Sequence, residues 1–160
     1  MHLRQRPLKE RLLIAGLSAL VLLALFFSWE AWEDSRDRAL FQGALTPLQI
    51  GTSTIMVEVV DTKEKRDKGL SGRERLPKGE GMLFVFEEPN FYTFWMPDMR
   101  FAIDIIWISS EKRVVDITPG VPPDSYPQLF SPEEPAQYVL EVPAGVVMKE
   151  GWGVGDSVQF

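Results

Sequence analysis

With 160 residues the chain has room for one main domain, and with no cysteine anywhere it excludes structural disulfides, thiol chemistry and a lipid-modified cysteine. From Ala44 onward 11 Lys and Arg stand against 18 Asp and Glu, a net charge of −7, so nucleic acid is not an expected partner. The only histidine is His2, which removes Ser-His-Asp and Cys-His catalysis, a histidine general base and His- or Cys-based zinc sites from the rest of the chain. Any enzyme here must work with carboxylates, lysine or hydroxyls.

Residues 1–11 form a basic tail, with Arg4, Arg6, Lys9 and Arg11 against Glu10. Leu12 to Trp29 follows, 18 residues without a charge. At a rise of about 1.5 Å per residue this nearly matches a hydrocarbon core, and it is expected as a transmembrane helix. Glu30, Glu33 and Asp34 come next, so the positive-inside rule leaves the N-terminus in the cytoplasm and places the remainder beyond the cytoplasmic (inner) membrane. Bulky Phe26, Phe27 and Trp29 occupy the place of a small-x-small cleavage pattern, which favours an uncleaved signal anchor over a removed signal peptide. The membrane is thus the one expected partner; a small-molecule or protein partner is not specified. Residues 30–51 read as a stalk, and residues 52–160 as an extracytoplasmic domain.

That domain reads as mostly β. Ser53 to Val60 alternates, with Ile55, Val57 and Val59 on one face, and Asp61 or Thr62 is placed to cap a short helix over Lys63 to Lys68. Seven of the domain's 11 cations lie between Lys63 and Lys78, but interleaved Glu64, Asp67, Glu74 and Glu80 make the patch mixed in sign. Pro77 to Gly81 turns the chain into a strand over Met82 to Phe86, and a further turn leads to a strand over Phe91 to Met96. Ile103 to Ile108 and Arg113 to Ile117 flank SSEK as a hairpin. Thr118 to Pro135 holds six prolines and reads as a long loop. Gln137 to Val142 returns as a strand, Ala144 to Glu150 supplies one or two helical turns, and Ser157 to Phe160 ends the chain as a strand. Roughly seven short strands with one or two short helices imply a β-sandwich or barrel.

The residues that invite chemistry are few. Asp104 lies inside FWMPDMRFAIDIIWI, an apolar run expected to be buried on both faces, where a carboxylate costs several kcal/mol unless paired or protonated. It marks either a structural polar network, accepting from turn amides or pairing with Arg66 or Arg100, or a working site. Glu141, in YVLEV, is the second acid inside a strand, unless it points to solvent from a half-exposed one. Two carboxylates about 5 to 9 Å apart can hydrolyse glycosides, so Asp104 and Glu141 are the candidate catalytic pair. Met96 and Met99 beside Trp95, with Met82 nearby, are candidates for a thioether Cu(I) site or for core packing. Phe84, Phe86, Phe91, Tyr92, Phe94, Trp95 and Trp107 crowd one region and are candidates for a pocket lining or for the core. No phosphate-binding glycine loop or calcium loop is present, and no cofactor is expected.

The ordered blocks KRDKGLSGRERLPKGEGMLFVF, FWMPDMRFAIDIIWI and PAQYVLEVPAG followed by GVGD resemble the bacterial and archaeal domain of unknown function 192 family, over about Met56 to Phe160. The resemblance implies a compact β-rich fold, often secreted or membrane-anchored, and no established activity. That family usually shows Phe-Trp-Met followed by Lys, Asn and Thr, where this chain has Pro97, Asp98 and Met99. The matching Trp95, Met96 and Asp104 therefore carry any transferred site, with Arg66 and Glu141 as network partners, and the matching glycines are expected at turns. The resulting expectation is a membrane-anchored, non-catalytic binding or accessory module whose ligand surface is Trp95, Met96, Asp98 and Asp104, with Arg66 alongside and the proline-rich loop above. The alternatives are a carboxylate-based hydrolase of cell-envelope glycan and Met-based Cu(I) binding.

Overall fold

The computed structural model describes residues 21–28 and 44–160, in two separate units, residues 1–40 and 41–160. In the first unit residues 21–28 are helical; the remainder of the expected anchor and the stalk as far as Gly43 lie outside the described residues. Among the described residues no helix is long and apolar enough to cross a membrane.

The second unit is a single seven-stranded sheet. Its strands are β1 (Leu45–Ile50), β2 (Ser53–Val60), β3 (Glu80–Asn90), β4 (Ile103–Ile108), β5 (Val114–Val121), β6 (Ala136–Pro143) and β7 (Val158–Gln159), joined by helices α1 (Lys63–Lys68) and α2 (Val146–Glu150). They lie in the order β5-β4-β6-β3-β2-β1-β7. Only β2 and β3 pair in parallel, because α1 and the loop after it supply the crossover that a parallel pair requires. Thr62 starts α1 by accepting from the Lys65 amide, and Gly69, at φ 47°, ends it.

The sheet curls into a half-barrel, not a two-sheet sandwich. The amide of Val114 donates to Asp156 at 3.0 Å, that of Gly155 to Val114 at 2.8 Å and that of Val158 to Lys112 at 2.8 Å, so the two ends of the strand order meet. Both faces are covered. On one, Leu48, Ile50, Val57, Leu83, Ile106, Leu140 and Val142 pack with Val147 of α2 and Trp152. On the other, Met82, Phe84, Ile105, Trp107 and Val139 pack under Leu70, Leu76 and Met96. Every residue of β4 is buried, as its unbroken apolar run predicts.

Three expected segments differ. Residues 45–50, read as the end of a stalk, form β1, with Leu48 and Ile50 fully buried between β2 and β7. Residues 91–96 form no regular strand: β3 itself runs on to Asn90, and only Phe94 makes an isolated bridge, to Phe130. The proline-rich segment begins as strand, since β5 extends through Pro119 to Val121; β5 ends the strand order, where a missing amide is tolerated.

Candidate functional site

The two acids that stand out in the sequence occupy opposite faces of the sheet. In the β4–β6 ladder Asp104 is opposite Val142 while Ile105 is opposite Glu141. Side chains alternate along a strand, so Asp104 shares the face of Ile106 and Val142, and Glu141 shares the face of Ile105 and Val139. They therefore do not flank a common substrate, and a hydrolytic mechanism that uses them as a pair is set aside.

Asp104 is fully buried and entirely occupied by backbone donors. One carboxylate oxygen accepts from the amides of Gly120 at 2.8 Å and Gly145 at 3.2 Å, the other from Val147 at 3.0 Å. Gly145 is the N-cap of α2 and has no side chain with which to cap it, so Asp104 serves that end from a neighbouring strand. The same carboxylate pins Gly120, which adopts φ 65° where the β4–β5 register shifts. This is a structural network, with neither Arg66 nor Arg100 in it.

Glu141 is in the contrary situation. It is 4 % exposed, yet among the described residues nothing hydrogen-bonds to its carboxyl. Burial pushes the carboxyl up to about 8, against a smaller downward pull from Arg73. Arg73 is itself ion-paired with Glu58 at 2.8 Å, and Glu58 stands on the same face as Glu141 with Met82 between them. Glu58 and Glu80 are both buried as well. Glu58 is buried because β2 is covered on both faces from that residue on, while Thr54 and Met56, earlier on the same face, stay exposed.

Glu141 lines a cavity of about 320 Å³. Its walls come from three places: Phe84 and Phe86 from β3, Arg66 to Gly69 with Leu70 and Ser71 from α1 and its exit, and Tyr92 to Trp95 with Pro97 and Met99 from the irregular segment. Each wall is fixed. Arg66 donates through one nitrogen to the carbonyls of Asp61 (2.7 Å) and Val85 (2.9 Å) and lies over the Phe86 ring, clamping α1 to β3. Gly69 sits close to Phe84, where an added Cβ would come within 3.4 Å of the ring. The irregular segment is held by Trp107 donating to the Tyr92 carbonyl, the Ser71 hydroxyl donating to that of Pro97, and the Phe94–Phe130 bridge. The rings interlock, Phe86 stacking on Tyr92 and Phe84 meeting Phe94 edge to face.

The expected ligand surface is divided by this geometry. Trp95 and Arg66 line the cavity, and the proline-rich loop flanks it through Tyr126, which leans on Trp95. Met96 is buried in the core, Asp104 is on the other face, and Asp98 lines not the cavity but an adjoining hollow that shares Lys68 and Met99 with it. The four residues Trp95, Met96, Asp98 and Asp104 do not converge. Of the crowded aromatics, five line the cavity, whereas Phe91 is exposed and Trp107 is sealed beneath Phe94. Met82 and Met96 are core residues of the same apolar layer, and Met99 packs at its edge. Among the described residues no cluster of three acids, histidines or cysteines forms a metal-binding group. Lys68, Gly69 and Ser71 are cavity residues that sequence reading missed, because their side of the cavity exists only once α1 folds back over β3.

Residues 46–160 match the family model of domain of unknown function 192, described as "Uncharacterized ACR". The chain belongs to the domain of unknown function 192 family. Similar members include a UPF0127 protein of Pyrococcus abyssi, 33 % identical over 106 residues that make up 65 % of this chain and 85 % of the relative. A UPF0127 protein of Pyrococcus furiosus is 37 % identical over 62 residues, 39 % of this chain and only half the length of that relative. Two crystal structures share the fold of this domain of unknown function 192 protein. One, from Sinorhizobium meliloti 1021 and described as a candidate transcription regulator, has a TM-score of 0.70 at 28 % identity, covering 73 % of this chain and 94 % of its own. The other, a protein of unknown function from Novosphingobium aromaticivorans, has a TM-score of 0.68 at 28 % identity, covering 72 % and 85 %. The departure of this family member at Pro97, Asp98 and Met99 falls at the cavity's edge: Pro97 and Met99 line it, and Asp98, at φ 52°, accepts from the Gly72 amide.

Proposed function

We propose that this domain is a non-catalytic small-molecule-binding module whose site is the aromatic cavity over Glu141. The observation that carries the reading is a buried carboxyl, unpaired among the described residues, facing an aromatic-walled space of about 320 Å³ that opens to solvent. Ligand sites in proteins combine such apolar walls with a few convergent polar groups. A binding role is favoured over a catalytic one because the cavity brings together no nucleophile and base in hydrogen-bonding contact. The charge-free Leu12 to Trp29 run, basic before and acidic after, supports a module tethered to the outer side of the inner membrane by an uncleaved anchor.

A thermal-shift screen of the full chain in non-ionic detergent, using sugars, short peptides, amines and metal ions, tests the binding role. At least one class is expected to raise the melting temperature, and Trp95→Ala should reduce that rise; no shift from any class contradicts the reading. Alkaline washing of membranes addresses the tether. Retention of the chain in the pellet is expected, and its release would overturn the anchor.

A further inference from the structure

We propose that the cavity takes a small ligand bearing an organic ammonium group, held against Glu141 in the space lined by the rings of Phe84, Phe86, Tyr92, Phe94 and Trp95. The inference rests on reading the cavity as a binding site and names the chemistry that site selects. Glu141 is the most buried polar side chain lining the cavity, and nothing among the described residues donates to it. A buried carboxylate without donors lowers its cost most by gaining a cation. Aromatic faces attract the same charge, and five rings line the space above Glu141. A metal ion is a poorer match, since among the described residues no group of three acidic, histidine or cysteine ligands forms around Glu141.

The other charged groups around the cavity leave this role to Glu141. Arg73, from the loop after α1, draws on Glu141 but is ion-paired with Glu58. Arg66 is committed to two carbonyls and to the Phe86 ring, and Asp67 is paired with Lys63 at 2.5 Å. Lys68 is exposed, at the solvent side of the space. On the strands beside β6, Glu141 is flanked by Met82 and Ile105, both apolar. Tyr92 is the remaining titratable wall, and burial raises its hydroxyl, keeping it neutral. An anion would have to rely on Lys68 and Arg66 and sit beside both Asp67 and Glu141.

Because Glu141 titrates near 8, binding a permanently charged ammonium must displace its proton. Calorimetry of the full chain in non-ionic detergent with tetramethylammonium, choline and the neutral carbon isostere of choline separates the possibilities. The two cations are expected to bind at about pH 9 and to weaken roughly tenfold per pH unit below 8, with the isostere at least about tenfold weaker. Glu141→Gln should lose both the preference and the pH dependence while melting no lower than the parent chain. Equal affinity for the isostere would overturn the ammonium assignment yet leave the cavity a binding site. A pH-independent affinity, preferential binding of acetate or inorganic phosphate, or no heat from either cation at millimolar concentration would also overturn it.

Discussion

Glu141 is where the physical chemistry of this molecule is most exposed to test. Its carboxyl has an ordinary value of 4.5 and rises to about 8 in the fold because burial removes water without supplying a donor. Below the ordinary value both folded and unfolded chains hold the proton, and the residue costs nothing through ionisation. Between 4.5 and about 8 the unfolded chain releases its proton while the folded chain keeps it, so stability falls as pH rises. Glu141→Gln removes that dependence. Denaturant unfolding across this window should show the variant gaining on the parent, by an amount on the order of 4 kcal/mol at the upper end and close to nothing at the lower. A parent and variant that differ by a constant amount at every pH would mean that Glu141 is not held protonated. The sequence shows an acid in an apolar strand, but its alternation permits a solvent-facing reading. What buries Glu141 is α1 and residues 92–99, both remote in sequence, and no local pattern reveals a cover of that kind.

At the scale of elements, Asp104 shows how one buried carboxylate can organise three. It ties β4 to the irregular part of β5 at Gly120 and caps α2 at Gly145 and Val147. Asp104→Ala leaves three amides without their acceptor and should destabilise the fold by about 3 kcal/mol, whereas Asp104→Asn, which keeps one accepting oxygen, should cost less. Equal melting temperatures for the parent and the Ala variant would show those amides to be satisfied otherwise. Regular elements with strong local signals are legible in the sequence: the β4–β5 hairpin, α1 with its Thr62 cap, and β6 with α2 after it. β1 is not, because LTPLQI offers proline and polar residues and gains its burial only between β2 and β7. Residues 91–96 mislead in the other direction. Their aromatic content suits a strand, but the rings serve to roof one face of the sheet, and only Phe94 finds a ladder partner. Gly81 belongs with these non-local effects: it lies inside β3 and not at a turn, and an added Cβ would stand 3.0 Å from the Glu141 carbonyl. Glycine there permits the close approach of β3 to β6, the strand that carries Glu141.

For the molecule as a whole, the half-barrel divides its labour between two faces. One, with Asp104, α2 and Trp152, is a closed core; the other carries buried glutamates and the aromatic cavity. A β-rich domain with no histidine or cysteine beyond His2 is legible from composition and strand spacing, whereas the segregation of chemistry to one face depends on register, which the sequence does not state. In the proposed binding role, ligands enter on the Glu141 face alone. That role is tested most directly by a two-dimensional amide NMR titration of the isotope-labelled full chain with tetramethylammonium in non-ionic detergent. Saturable shifts are expected at cavity residues such as Gly69, Phe84, Trp95 and Glu141, with Gly120, Gly145 and Val147 on the Asp104 face unmoved. Shifts centred on the Asp104 face, or no saturable shift at the cavity, would contradict that role.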